Sequence, residues 1–254
     1  KDADVVLAVG TRLGAMSTDN YKLPNPHCRL IHMDLDARTI GGNFPTAVSL
    51  VCDARAGLAA MATAIGTGKT GRITTWARGA TKLATEWRAR FNSLAAKKVV
   101  GGRINPRFVM HTLDRFVTAS DVVVADTGNS AGWAGTMINT KAAGRSFICA
   151  AGSLGWAFPA AIGVRLAAPK TKRVLCVTGD GGLGYHVSDF ETAVRVGAPV
   201  ITVLVNNSAL GSKYTVQKLH HGKVSVPLHA FGDTDYASVA RAFGDRKSTR
   251  LNSS

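Results

Sequence analysis

The chain has 254 residues, 46% of them hydrophobic, with 31 Lys and Arg against 16 Asp and Glu and a formal net charge of +15. That length suits two domains of about 100 to 200 residues each. No apolar run approaches the roughly 20 residues that span a bilayer, and no charged-then-apolar leader is present, so the expectation is a cytoplasmic globular protein without a membrane partner. The basic residues are dispersed, with no dense run and no interleaved aromatics, which argues against nucleic acid and for an anionic cofactor or substrate.

The opening run "ADVVLAVGTRLG" reads as a buried strand ending in a turn at Gly10. "CRLIHMDLD" (28 to 36) is a second strand with acids at its carboxyl end, "AVSLVCD" (47 to 53) a third, and "ARAGLAAMATAI" (54 to 65) a helix. Residues 66 to 73, "GTGKTGRI", are a Gly-rich break. Its Gly68-Lys69-Thr70 is no P-loop, because position 63, where the first Gly of that motif belongs, is Thr. A helical run follows over 75 to 96, and Pro106 suits the first turn of a helix over 106 to 117.

From there the chain alternates again: strand 121 to 126, turn "TGNSAG", extended "SFICA" (146 to 150), turn "AGSLG", a helix over about 157 to 167, and strand "RVLCVT" (173 to 178). After "GDGGLGYH" a helix is expected over Ser188 to Val196, opened by a capping box Ser188-x-x-Glu191 and closed by Gly197 and Pro199. Phe190, Ala193 and Val194 share one of its faces. Strand "VITVLV" (200 to 205) then runs into "NNSALG". The fold class is α/β, two doubly wound parallel-sheet domains, the first incomplete, with helices on both faces. After Gly244 the apolar pattern stops, and "DRKSTRLNSS" is expected to be a non-native or disordered tail.

Cys28, Cys52, Cys149 and Cys176 lie far apart without a C-x-x-C pair and are expected as small buried hydrophobes, not as a disulfide framework or zinc site. His186, near the Gly-rich turn, is within reach of a substrate but reads first as a loop or core residue. His220-His221 reads as solvated.

"GDGGLG" (179 to 184) matches the dinucleotide fingerprint G-x-G-x-x-G between a strand and a helix. Two details oppose a nicotinamide or flavin there. The carboxylate of Asp180 would repel a diphosphate unless a cation stood between them. The next strand ends in Asn206-Asn207, not in an acid for ribose hydroxyls. A magnesium diphosphate fits better, since Mg²⁺ takes six oxygens from a few protein groups, phosphates and water.

Gly179-Asp180-Gly181, 24 intervening residues and Asn206-Asn207 resemble the signature of thiamine-diphosphate-dependent enzymes. "DTGNSAGW" (126 to 133), "GSLGWAFPAAIG" (152 to 163) and "NNSALG" are similar to the acetolactate-synthase-like branch, and the likeness covers nearly all of residues 1 to 244. By that resemblance Asp180, the Asn207 side chain and the Ala209 carbonyl would ligate Mg²⁺. Gly179, Gly181, Gly182 and Gly211 would line the diphosphate site, with Gly128, Asn129 and Ser130 in the facing turn. Leu154 would be the wedge that bends the cofactor, its N–H and the Gly152 carbonyl holding the pyrimidine. The cofactors implied are thiamine diphosphate and Mg²⁺.

The resemblance also implies a segmentation: 1 to 66 as the C-terminal part of a nucleotide-binding-like middle domain, 67 to 104 as a linker with a helix, 105 to 244 as the thiamine diphosphate domain and 245 to 254 as the tail. Gly10, Arg12, Asp34 and Asp36 stand where a nucleotide such as FAD would lie at the strand ends, although an empty site is the first expectation. Members of the family carry an activating Glu in a preceding domain. No residue here is assignable to it, so the chain is expected to be a fragment or half of a split enzyme, inactive alone. The full enzyme would decarboxylate a 2-oxo acid and carboligate or release the aldehyde unit, as a homodimer or homotetramer. "SKYTVQKLHHGK" lacks the Gln-Trp element typical of acetolactate synthases. The alternatives are a non-catalytic cofactor- or nucleotide-binding homologue and a basic nucleic-acid-associated protein.

Overall fold

A computed structural model describes residues 2–66, 73–142, 144, 146–150, 152–170, 172–223 and 225–245. Gly68-Lys69-Thr70 and residues 246–254 of the expected tail lie outside the described residues. The chain forms two compact units, Lys1–Arg78 and Gly79–Ser254.

The first unit holds three parallel strands in the order β1 (Val5–Val9), β2 (Arg29–Asp34), β3 (Val48–Val51). Helix α1 (Ala54–Ile65) follows, its start capped by Asp53, whose Oδ1 accepts the Ala56 N–H at 3.0 Å. At Gly57 an added Cβ would lie 2.7 Å from both Cys52 Sγ and Met33 Sδ, so only glycine allows α1 to sit this close to β2 and β3. Leu30, His32 and Met33 of β2 are buried. Strand β1 departs from expectation: Ala8 is buried, but Val5 and Leu7 are 51% and 39% exposed. An apolar run reads as buried, yet β1 is the edge of a small sheet whose helix packs against its neighbour β2.

The second unit takes in most of α2 (Ile73–Ala96), a two-residue hairpin β4 (Val99–Val100) and β5 (Arg103–Ile104), and α3 (Pro106–Phe116). Pro106 opens α3 as predicted, capped by Asn105, whose Nδ2 also donates to the carbonyls of Leu94 and Lys97 and so ties the end of α2 to the start of α3. Four parallel strands follow, β6 (Asp121–Ala125), β7 (Phe147–Cys149), β8 (Arg173–Gly179) and β9 (Ile201–Val205), in the order β7-β6-β8-β9.

Between and after them lie α4 (Asn129–Met137), α5 (Ala157–Ala167), α6 (Asp180–Gly184), α7 (Asp189–Arg195), α8 (Gly211–His221) and α9 (Tyr236–Ala242). The period of two divides the sheet between two cores. Val123, Ala125, Leu175 and Val177 face Met110 of α3 and Ala134 and Met137 of α4, while Val122, Val124, Val174 and Cys176 face Phe158, Ala161 and Ile162 of α5. Helices thus cover both faces, the doubly wound arrangement expected from the alternation.

Two local expectations fail. The capping box at Ser188 does not form: Ser188 is itself helical (φ −65°, ψ −22°) and caps nothing with its side chain, and Glu191 pairs with Arg195 at 2.8 Å. The turn before α7 is already helical, with the Asp189 N–H donating to His186 O and that of Glu191 to Ser188 O, so no end is left to cap. Phe190 and Ala193 pack on the core, but Val194 is 48% exposed. Of the cysteines only Cys176 is buried, and Cys149 is exposed at the end of the short outer strand β7; all four are free thiols. Among the described residues no helix is long and apolar enough to cross a membrane.

Candidate functional site

The chain leaves β6 toward β7 on one side and returns through α5 to β8 on the other. The connections at the carboxyl ends of β6 and β8 therefore diverge, opening the crevice where α/β sheets take ligands. One open groove of the second unit contains all twelve residues assigned to cofactor contact from Gly128 to Gly211, but it also runs on along α7 and β9. Direct contacts define the site more sharply.

Asp180, 3% exposed, is the first residue after β8. Its Oδ1 accepts its neighbour's N–H, that of Gly181, at 2.9 Å, and its Oδ2 accepts the N–H of Ala209, 29 residues on, at 3.0 Å. Burial pushes the Asp180 carboxyl up from its ordinary value, opposed by these N–H groups. Among the described residues no Lys or Arg pairs with it. A buried carboxylate without a cation is what a metal would neutralise. Asn207 follows directly: its Nδ2 and that of Asn129 each lie 3.3 Å from the point a Cβ on Gly211 would occupy. The Ala209 carbonyl accepts the Gly211 N–H at 2.9 Å. Among the described residues no three His, Cys, Asp or Glu side chains cluster as a metal site; the set expected from the sequence is one carboxylate, one amide oxygen and one carbonyl.

Helices α4, α6 and α8 all begin at this place, and none carries a side-chain cap. Helices α1, α3 and α9 are each capped by an Asp or Asn; α5 and α7 start from residues that are already helical. The starts of the longer helices α4 and α8, without side-chain caps and with their positive dipole ends, attract an anion. The two starts face each other, with Ser212 Oγ 3.8 Å from the Cβ point of Gly128.

The glycines do more than leave room for a ligand. A Cβ on Gly182 would lie 2.6 Å from Asp126 Oδ2 and 2.8 Å from Thr178 Oγ1, and one on Gly181 2.6 Å from Leu210 Cδ2. Gly152 and Gly155 have φ of +103° and +89°, the left-handed region that glycine tolerates, and bound a turn that leaves Leu154 37% exposed toward the groove.

Sequence reasoning assigned no role to Asp126, Thr127, Thr178 or Tyr236, although all lie at this site. Asp126 and Thr127 close β6 immediately before the turn at Gly128. Tyr236 donates its hydroxyl to the Asp180 carbonyl at 3.3 Å, and burial followed by the charge of Asp180 pushes its phenol up. An acid at the carboxyl end of an apolar strand was the available signal for Asp126. His186 instead sits between α6 and α7 with Nδ1 3.3 Å from Asp189, and His220 and His221 are exposed at the end of α8. Burial raises the thiols of Cys149 and Cys176, with the charge of Asp126 adding to both, so neither is an activated nucleophile.

Comparison with known proteins decides the family. Residues 126–254 match the model for the thiamine pyrophosphate enzyme C-terminal TPP binding domain, and residues 1–61 the model for the central domain. The chain belongs to the thiamine pyrophosphate enzyme family.

Among its relatives, the acetolactate synthase large subunit of Haemophilus influenzae is 28% identical over 250 residues, covering 96% of this chain and 42% of that protein. The acetolactate synthase isozyme 3 large subunit of Escherichia coli is 27% identical over 244 residues, with the same two shares. A probable acetolactate synthase large subunit of Methanocaldococcus jannaschii is 26% identical over 251 residues. The chain thus spans about two-fifths of the length of the curated relatives it matches. In this member of the family the Gly-Asp-Gly turn and the Asn pair fall within the residues matched to the C-terminal TPP binding domain.

In the first unit the four residues expected near a nucleotide lie at or just beyond strand ends and make contacts of their own. The Gly10 N–H donates to Met33 O, the Arg12 carbonyl accepts from Asn43 Nδ2 at 2.8 Å, and Asp34 Oδ1 accepts the Asp36 N–H. Asp36 is held by Arg38 through Nε and Nη2 at 3.0 and 2.9 Å, which lowers its carboxyl. A shallow pocket in this unit, lined by residues such as Val6, Leu13 and Cys28, contains none of the four.

Proposed function

We propose that the second unit holds the diphosphate end of thiamine diphosphate together with Mg²⁺, as part of an enzyme that decarboxylates a 2-oxo acid and carboligates or releases the aldehyde unit. The observation that carries this reading is the meeting of three uncapped helix starts around the buried carboxylate of Asp180, which pairs with no Lys or Arg among the described residues, with Asn207 beside it. A carboxylate facing a diphosphate is tolerable only with a cation between them, and the oxygen donors suit Mg²⁺.

In this reading Asp180, the Asn207 amide oxygen and the Ala209 carbonyl hold the metal. The N–H groups of Gly181, Gly182 and Gly128 to Ser130 hold the phosphates, and Gly179 and Gly211 keep the turns open. Leu154 supports the ring portion, with its own N–H and the Gly152 carbonyl for the pyrimidine. When bound, thiamine diphosphate supplies a nucleophilic ring carbon and an electron sink for decarboxylation. The protein's part is to hold and orient it and to shield it from water. The relatives named acetolactate synthases support the acetolactate-synthase-like branch, while the absent Gln-Trp element leaves the acceptor general. The assembly expected is a cytoplasmic homodimer or homotetramer, on the resemblance that puts family active sites between subunits.

The test is calorimetry of thiamine diphosphate with the purified chain, with and without Mg²⁺. Binding that needs Mg²⁺ supports the reading; binding indifferent to it overturns the metal assignment.

A further inference from the structure

The carboxylate of Asp126 is fully buried. Its Oδ1 accepts the N–H of Thr127 at 2.7 Å and that of Gly155 at 3.0 Å, and its Oδ2 accepts the hydroxyl of Thr178 at 2.9 Å. The same Oδ2 lies against the α-carbon of Gly182, where no side chain would fit. The next residue repeats the pattern: Thr127 Oγ1 accepts the Gly152 N–H at 3.1 Å and donates to the Ala150 carbonyl at 3.4 Å. Consecutive residues at the end of β6 therefore grip both ends of the Gly152–Gly155 turn. Through Thr178 and Gly182, Asp126 also reaches the Gly-Asp-Gly turn.

We propose that Asp126 and Thr127 are positioning residues that set the span between the turn carrying Leu154 and the diphosphate turn at Gly179–Gly182. This rests on the thiamine diphosphate reading and adds to it two residues that act through the turns they hold. A buried carboxylate, paired with no Lys or Arg among the described residues, is costly unless dipoles hold it, and the dipoles used here come from the segments that must be kept in register. A ligand with a ring end and a diphosphate end gains from both only if the protein holds the two subsites at the ligand's own span.

The clamp is tested by comparing the affinity of the chain for thiamine diphosphate with that for inorganic diphosphate, each with Mg²⁺, by calorimetry. Inorganic diphosphate needs the phosphate turn alone, so the ratio of the two affinities reports the span. The wild-type chain should prefer thiamine diphosphate. Asp126→Ala should cut that preference roughly tenfold, the loss expected for hydrogen bonds to a charged group. Thr127→Val, which removes one acceptor, should cut it less, and Asp126→Asn, which keeps an oxygen for the two N–H groups, should restore part of it.

Asp121→Asn serves as a fold control, because Asp121 is equally buried but pairs with Arg173; it should lower the melting temperature and leave the ratio alone. A ratio unchanged within about twofold in folded Asp126→Ala, or lowered equally by Asp121→Asn, overturns the proposal. Should Asp126→Ala fail to fold, an unchanged ratio in Thr127→Val overturns it instead. A wild-type chain that binds neither ligand overturns the thiamine diphosphate reading, and this inference with it.

Discussion

Asp180 Oδ2 accepts the backbone N–H of Ala209 at 3.0 Å across 29 residues of sequence. That contact, with the Asn207 backbone also reaching the same carboxylate, ties the loop after β9 to the turn after β8. It holds Asn207 beside the carboxylate. Preorganisation of this kind lowers the ordering cost of binding a metal diphosphate.

Replacing Asp180 should therefore do more than weaken a contact. Even outer partners of a metal ligand cost 10–100-fold in affinity, so Asp180→Ala should cost Mg²⁺-dependent thiamine diphosphate binding on the order of 100-fold. Calorimetry at several Mg²⁺ concentrations checks this, and undiminished Mg²⁺ dependence would sink the metal assignment.

Gly182→Ala should be poorly tolerated for a reason unrelated to cofactor approach. Its Cβ would meet Asp126 Oδ2 and Thr178 Oγ1, at 2.6 and 2.8 Å, within a fully buried network. Overpacking of this sort costs about 1–3 kcal/mol, and urea unfolding should show it. The double variant Gly182→Ala with Thr178→Ala should recover little, because Asp126 remains in the way.

Acid should weaken the second unit through Asp121. Hydrogen bonds from Arg173, then from the Thr118 N–H and hydroxyl, outweigh burial and hold its carboxyl down to about 2, from 3.8. A value depressed in the folded state adds stability that is fully present above the unfolded value and is lost as pH falls toward about 2. The contribution is on the order of 2 kcal/mol before screening at the partly exposed Arg173 reduces it. Asp121→Asn should lower the melting temperature at pH 7 and flatten its fall in acid; an unchanged slope would exclude this pair as the cause.

Arg165 should be intolerant of Met despite the similar length. It is 8% exposed and donates to the carbonyls of Ala168, Pro169 and Lys172, closing the connection from α5 into β8. These carbonyls are part-exposed and regain water, so losing the donor costs about 1 kcal/mol. Thermal unfolding of Arg165→Met reads that loss directly.

Much of this architecture is local in origin and therefore legible along the chain. Alternating apolar strands, Pro106 opening α3 and Gly197 closing α7 each depend on residues a few places apart. The Gly-Asp-Gly turn and the Asn pair are also readable as a motif, and the structure brings both to one groove. Exposure was less legible: Val5, Leu7 and Cys149 read as core, because an apolar residue on an edge strand has the same signature as one in the middle of a sheet. Ser188 failed as a cap because the preceding turn, not the Ser-x-x-Glu spacing, decides whether a helix end is free.

By itself the sequence determined the fold class, a consequence of local pattern, and the family, through the resemblance of its motifs. Only the tertiary structure decided that Asp126 and Thr127, ending one strand, hold a turn 25 to 29 residues later. A buried hydrogen bond across that separation leaves no periodic trace. It exists only once parallel pairing of β6 with β7 and β8 has brought the strand ends together.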